Sequence, residues 1–141
     1  MINSRSLDDL VPRVRAKAKL FAAQCKAVHG IDVLFTSTLR DNEYQASLYA
    51  QGRTAPGKIV TKAKPGYSPH NYGVAFDFVP LTNGKPDWND EDKWKKCGAI
   101  GVAVGLEWGG NFKSISDKPH LQDLAGHTIS DFLLGKAMDA L

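Results

Sequence analysis

Two histidines and an aspartate carry the most informative chemistry in this 141-residue chain. His70 leads into residues 73–80, GVAFDFVP, whose β-branched and aromatic side chains predict a strand. Alternation sets Val74, Phe76 and Phe78 on one face and Ala75, Asp77 and Val79 on the other. A carboxylate between two phenylalanines is costly to bury unless a cation or a metal pairs with it. Gly73 lets the chain bend between His70 and Asp77, so that both side chains can face one point. Farther on stands Asp117-Lys118-Pro119-His120, where Pro119 holds Lys118 extended and projects Asp117 and His120 from a short stiff segment. Two imidazoles and one carboxylate make a three-ligand set with a fourth position open to water, and zinc is the ion such a set favours. Iron oxygenases use the same ligand types, so ligand identity leaves that alternative open. An extra carboxylate, Asp117, three residues before His120 suits hydrolysis better. It can take a proton from water and pass it to a leaving amine.

The elements that must position these groups are legible in outline. Ser6, followed by Asp8 and Asp9, reads as the start of a helix whose apolar positions Leu10, Val14, Ala18, Phe21, Ala22, Cys25 and Val28 run to Gly30. Residues 31–37 read as a strand, and Asp41 caps a second helix that Gly52 terminates. Residues 53–69 hold three prolines and two glycines and read as a long irregular loop. A loop of that length running straight into His70 points to function. Asn83-Gly84 is a hairpin turn, and a third helix spans about 89–104 before Gly105. LEWGGNF, a polar turn at Ser114–Asp117 and a short PHLQ segment follow, and Thr128 caps a last helix ending near Ala140. This order predicts an α+β fold, with a small antiparallel sheet, in a single domain over residues 1–141.

Composition excludes more than it identifies. An apolar share of 43% and a charged share of 23% belong to an ordinary soluble domain. The net charge of +3 is mild, and clusters such as Lys93, Lys95 and Lys96 read as solvated helix faces, so no nucleic-acid partner is expected. A weak positive field still favours encounter with an anionic polymer such as a cell wall. Cys25 and Cys97 form no disulfide framework and read as buried thiols. The opening MINSRSLDDLVPRV has no apolar core of a signal peptide, and no apolar run is long enough to cross a bilayer. The expectation is a monomer made in the cytoplasm, without an integral membrane segment.

The segment Ser68-Pro69-His70-Asn71-Tyr72-Gly73-Val74-Ala75-Phe76-Asp77 resembles the S-x-H-x-x-G-x-A-x-D motif of a zinc peptidase family. That family holds D-alanyl-D-alanine carboxypeptidases and dipeptidases and phage L-alanyl-D-glutamate endopeptidases. Asp117-Lys118-Pro119-His120 is similar to its second motif, [DE]-x-x-H. Thr36–Arg40, Gln45–Tyr49 and Glu107–Gly110 resemble its upstream strand, its helix and its tryptophan-glycine segment.

The resemblance implies a central antiparallel sheet flanked by helices, with one zinc ion on its concave face held by His70, Asp77 and His120. It implies Asp117 as the base and Arg40 as the residue that binds substrate and the oxyanion. Ser68, Gln45 and Trp108 are the further candidates for substrate contact. His29 reads as a dipole partner at a helix end, and His127 receives no role. The short chain, with no leader, anchor or wall-binding module, resembles the globular endolysins of phages, which act on the wall after release. The implied substrate is peptidoglycan, cut between L-Ala and D-Glu. Two alternatives stand beside this reading: a D-alanyl-D-alanine carboxypeptidase, and a zinc-stabilised wall-binding module without turnover.

Overall fold

Pro12 decides where the first long helix begins. Its ring lacks an N–H and pushes the preceding residue out of the α region, and Val11 accordingly stands at ψ 150°. In the computed structural model, which describes residues 1–141, α1 runs over Pro12–His29. This corrects the expected start at Ser6. Ser6 instead caps a single 3-10 turn, Leu7–Asp9, accepting from the Asp8 N–H.

The sheet is antiparallel throughout. Its strands are β1 (Val33–Ser37), β2 (Ala75–Thr82), β3 (Lys85–Pro86), β4 (Glu107–Trp108) and β5 (His120–Gln122), in the order β1-β2-β5-β4. β3 pairs with the far end of β2. The Asn83-Gly84 turn joins them, both residues at positive φ (52° and 76°) as a tight hairpin requires. β2 therefore lies between β1 and β5, inside the sheet.

One face of β2 builds the core. Val14, Ala18, Phe21 and Cys25 recur on α1 at helical spacing and are buried. Phe21 meets Phe78 edge-on at 5.0 Å, and Phe78 meets Trp94 at 5.2 Å. Trp94 belongs to α3 (Glu91–Ala103), which Asp90 caps through the Lys93 N–H. Burying each such side chain contributes roughly 1.5–3 kcal/mol, so α1, α3 and β2 form the stable back of the molecule.

The other face of β2 carries Asp77, with Ala75 and Val79 buried on either side of it along the strand. On the path between β1 and β2 lie α2 (Asn42–Ala50), capped by Asp41, and the irregular stretch that leads to His70. The C-terminal helix is shorter than expected. α4 covers only Ile129–Leu133, behind a capping box of Thr128 and Asp131. Gly135 turns left-handed at φ 73° and ends it, the Lys136 N–H returning to the Asp131 carbonyl. Met138–Ala140 is a separate 3-10 turn. No helix is long and apolar enough to cross a membrane.

Candidate active site

Antiparallel pairing sets Asp77 on β2 directly opposite His120 on β5. On the other side a register shift in β1 between Phe35 and Ser37 brings Ser37 level with Asp77. Such irregularities re-aim side chains beside functional sites. Residues 120 and 122 share a strand face, so His120 and Gln122 both look into the cleft while Leu121 packs backwards against Gly101.

His70 arrives from outside the sheet, on a 3-10 turn at Pro69–Tyr72. Ser68 caps that turn, its Oγ accepting from the His70 N–H at 3.3 Å. The Asn71 side chain accepts from the Gly66 and Ser68 N–H groups and donates to the Arg40 carbonyl at 3.0 Å. The Arg40 N–H in turn donates to the His70 carbonyl at 3.1 Å. The turn is thus stitched to the segment joining β1 to α2. Gly73 closes it at φ 68° and returns the chain into β2.

The three side chains offer one ligand atom each, all within 4.8 Å of one another. His70 Nε2 lies 3.2 Å and His120 Nδ1 lies 3.5 Å from Asp77 Oδ1. Their remaining atoms are tied to protein. His70 Nδ1 is 2.8 Å from the Thr38 carbonyl, which only accepts, so Nδ1 carries the hydrogen and Nε2 is the free end. His120 Nε2 donates to Gln122 Oε1 at 2.7 Å, which aims Nδ1 inward. Asp77 Oδ2 accepts from Arg40 Nη2 at 2.9 Å, and Arg40 Nε donates to Ser37 Oγ.

Burial and charge divide the pair of imidazoles. Burial dominates at His70 and lowers its pKa, against the pull of Asp77. At His120 burial is opposed and outweighed by Asp77, Gln122 and Asp117, which raise it. Burial alone would raise the Asp77 carboxyl, but His120 and His70 hold it far below the usual carboxylate range.

Asp117 stands on the wall of the same cavity, of about 430 Å³, with Arg40, Ser68, Phe112 and Gln122. Burial pushes its carboxyl above the usual range, only partly countered by His120, while the charge of Asp77 adds to the rise. Its backbone is pinned between the Gly109 carbonyl, which accepts from the Asp117 N–H at 2.9 Å, and the His120 N–H. A Cβ at Gly109 would lie 2.1 Å from the Asp117 carbonyl oxygen, so only glycine permits this approach.

Residues 61–123 match the peptidase M15 profile described as D-alanyl-D-alanine carboxypeptidase. The chain is 40% identical over 123 residues to the peptidoglycan L-alanyl-D-glutamate endopeptidase CwlK of Bacillus subtilis (strain 168), covering 81% of this chain and 73% of that protein. The chain belongs to the M15 peptidase family. It is also 35% identical over 96 residues to the L-alanyl-D-glutamate peptidase of Listeria phage A118, covering 67% of this chain and 31% of that longer protein. Among solved M15 folds, the Serratia marcescens L-Ala D-Glu endopeptidase ChiX superposes with a TM-score of 0.61 at 21% identity, over 86% of this chain and 87% of that one.

M15 peptidases are zinc-dependent, and the donor set fits that ion. Zinc bonds of about 2.0–2.1 Å at tetrahedral angles separate neighbouring ligand atoms by about 3.3 Å. The 3.2 and 3.5 Å separations around Asp77 Oδ1 are already of that size. The hydrogen bonds to Thr38 and Gln122 have the form of the outer contacts that orient histidines toward a metal and select their tautomer.

Two candidates from the sequence lie elsewhere than expected. Gln45 is fully buried on α2, away from the cleft wall, and its Nε2 donates to the Ala63 carbonyl at 2.9 Å. It anchors the long loop, whose Val60, Thr61 and Ala63 do line the cleft. Trp108 is also absent from the cleft wall. Its ring fills the space left by Gly98 and Gly110, and its Nε1 donates to the Lys118 carbonyl at 2.8 Å. It holds the Asp117–His120 segment from behind.

Arg40 pairs with Asp77, not with its sequence neighbours Asp41 or Glu43. Ser68 both caps the His70 turn and lines the cleft. Sequence reading passed over Gln122 and Asn71. The signal for Gln122 was its position two residues after His120 in a strand; for Asn71 there was none beyond its place inside the motif.

Proposed function

We propose that this chain is a zinc endopeptidase of peptidoglycan, cutting the stem peptide between L-Ala and D-Glu. The observation that carries the reading is the convergence of His70, Asp77 and His120, with the Asp117 carboxylate on the same cavity wall. The names of the B. subtilis and phage relatives support the choice of bond.

His70 Nε2, Asp77 Oδ1 and His120 Nδ1 are the assigned ligands of one zinc ion per chain. These residues would hold a zinc ion, which would supply Lewis-acid chemistry: polarising the scissile carbonyl and making water acidic enough to attack near neutral pH. Asp117 is the base. It accepts a proton as water oxygen adds to the L-Ala carbonyl carbon, then delivers that proton to the D-Glu nitrogen as the C–N bond breaks. Its raised pKa suits both halves of that cycle. Arg40 has Nη1 left for the cleft after Nε and Nη2 engage Ser37 and Asp77, and it stabilises the developing oxyanion or a substrate carboxylate. The Ser68 hydroxyl accepts from the backbone and keeps its own hydrogen for the substrate. The protein works as a monomer on the cell wall.

Purified peptidoglycan digested with and without added zinc tests this. New amino-terminal D-Glu, appearing only with the metal, is the expected product. Loss of terminal D-Ala alone would make the chain a carboxypeptidase instead. Tight wall binding with no cleaved bond would make it a binding module.

A further inference from the structure

The cleft does not end at Asp117. Two grooves leave from that residue. One, of about 450 Å³, passes between Ile59, Val60 and Lys62 on the long loop and Ile115 opposite. The other, of about 420 Å³, runs over Trp88 and Trp94 beside Ser116, Lys118 and Pro119. None of these last residues is used by the mechanism above.

Trp88 is 53% exposed, an uncommon setting for so large an apolar ring. It is also held firmly. Its carbonyl accepts from the Trp94 Nε1–H at 3.0 Å, and its ring lies 6.1 Å from that of Trp94, which is only 2% exposed. Trp94 in turn packs on Phe78 in the core. The result is a rigid aromatic face beside the assigned base. The one cation of this groove, Lys118, is already paired with Glu91.

We propose that Trp88 is the platform for the muramyl sugar ring, and that it makes the enzyme prefer glycan-linked stem peptide over free peptide. This rests on the bond assigned above. In peptidoglycan the L-Ala nitrogen is acylated by the lactyl group of the sugar. One alanine and one lactyl unit, about two residue lengths or ~7 Å, separate the scissile carbonyl from the ring. The sugar must therefore lie beside the catalytic groups. The muramyl carboxyl is consumed in the amide bond, so the ring is uncharged, whereas the peptide beyond the cut carries carboxylates. Arg40 and Lys62 line the cleft and the first groove, and they suit the acidic peptide. The groove with an exposed indole and a neutralised lysine suits the pyranose, whose C–H faces stack on aromatic rings.

Two measurements decide the matter. The first is the ratio of kcat/KM for N-acetylmuramyl-L-Ala-D-Glu-peptide over N-acetyl-L-Ala-D-Glu-peptide, with zinc-loaded enzyme. Trp88→Ala should lower that ratio about tenfold, mainly through KM on the muramyl substrate, and Trp88→Tyr should keep it. An equal loss on both substrates, or a ratio unchanged within about twofold, would overturn the proposal. The second is independent of turnover: titration with N-acetylmuramyl-L-alanine, followed by the indole N–H resonance of Trp88. A saturable shift supports the platform, and none overturns it. Should neither peptide be cleaved by the unmodified enzyme, the assigned bond fails while this titration still judges Trp88.

Discussion

At the bottom of the cleft each residue of the triad has its outward atom held: His70 by Thr38, His120 by Gln122, Asp77 by Arg40. At the rim, Ile59, Val60 and Ile115 stand 58%, 57% and 52% exposed on irregular chain. The bottom is built from paired strands and a capped turn, whose backbone leaves little freedom. The rim is built from loops tied down at single points, such as Gln45 to Ala63. A metal site needs ligands fixed to fractions of an ångström, and a polymer substrate needs walls that adapt. Asp117 lies where the two regimes meet, on a loop pinned by Gly109 and Trp108.

Substitutions can break that division or sharpen it. His120→Ala should have the largest effect, taking zinc content to near zero and turnover down by at least ~10³-fold. Metal analysis beside a peptidoglycan assay checks both. Asp117→Asn should keep the zinc and lose about 10²–10⁴ in kcat. Loss of metal in that variant would erase the distinction between bottom and rim. Gly109→Ala should displace Asp117, because the new Cβ meets the Asp117 carbonyl oxygen at 2.1 Å, and it also presses on His120 Cβ at 3.0 Å, so zinc affinity should weaken alongside turnover. A misplaced base costs roughly 10²-fold in kcat.

Gln122→Ala sharpens the picture of the bottom. It removes the partner of His120 Nε2, and zinc affinity in a chelator competition should fall about 10–100-fold. The smallest effect lies behind the site. Asp123 accepts from Arg13 at 2.7 Å and from Lys17 at 2.5 Å, tying the end of β5 to α1. Burial works to raise its carboxyl, but these two cations outweigh it and hold it below the usual range. Its contribution is therefore complete above the ordinary carboxylate value of about 3.9 and fades as pH falls through the lower folded value. Asp123→Asn should cost roughly 1–2 kcal/mol in urea unfolding at neutral pH. The gap between variant and parent should close in acid.

Local chemistry made much of this molecule readable in advance. The motif from Ser68 to Asp77 and the DKPH segment named the three converging side chains and the nearby acid, because their types and short spacings already constrain the chemistry. The hairpin at Asn83-Gly84 and the caps at Asp41 and Thr128 were equally local. Errors came where one residue outweighed a pattern: Pro12 shifted the first helix, and Gly135 cut the last one short. Pairing across long sequence distances had no such local mark. That Asp77 faces His120 and that Arg40 turns to Asp77 follow from the register of β2 with β5 and β1. Gln45 and Trp108 were expected to touch substrate, yet neither lines the cleft, because packing turns both side chains inward. Residue type specifies which chemistry is available, but only packing of the whole chain decides which groups meet, since register and burial are set by every neighbour at once.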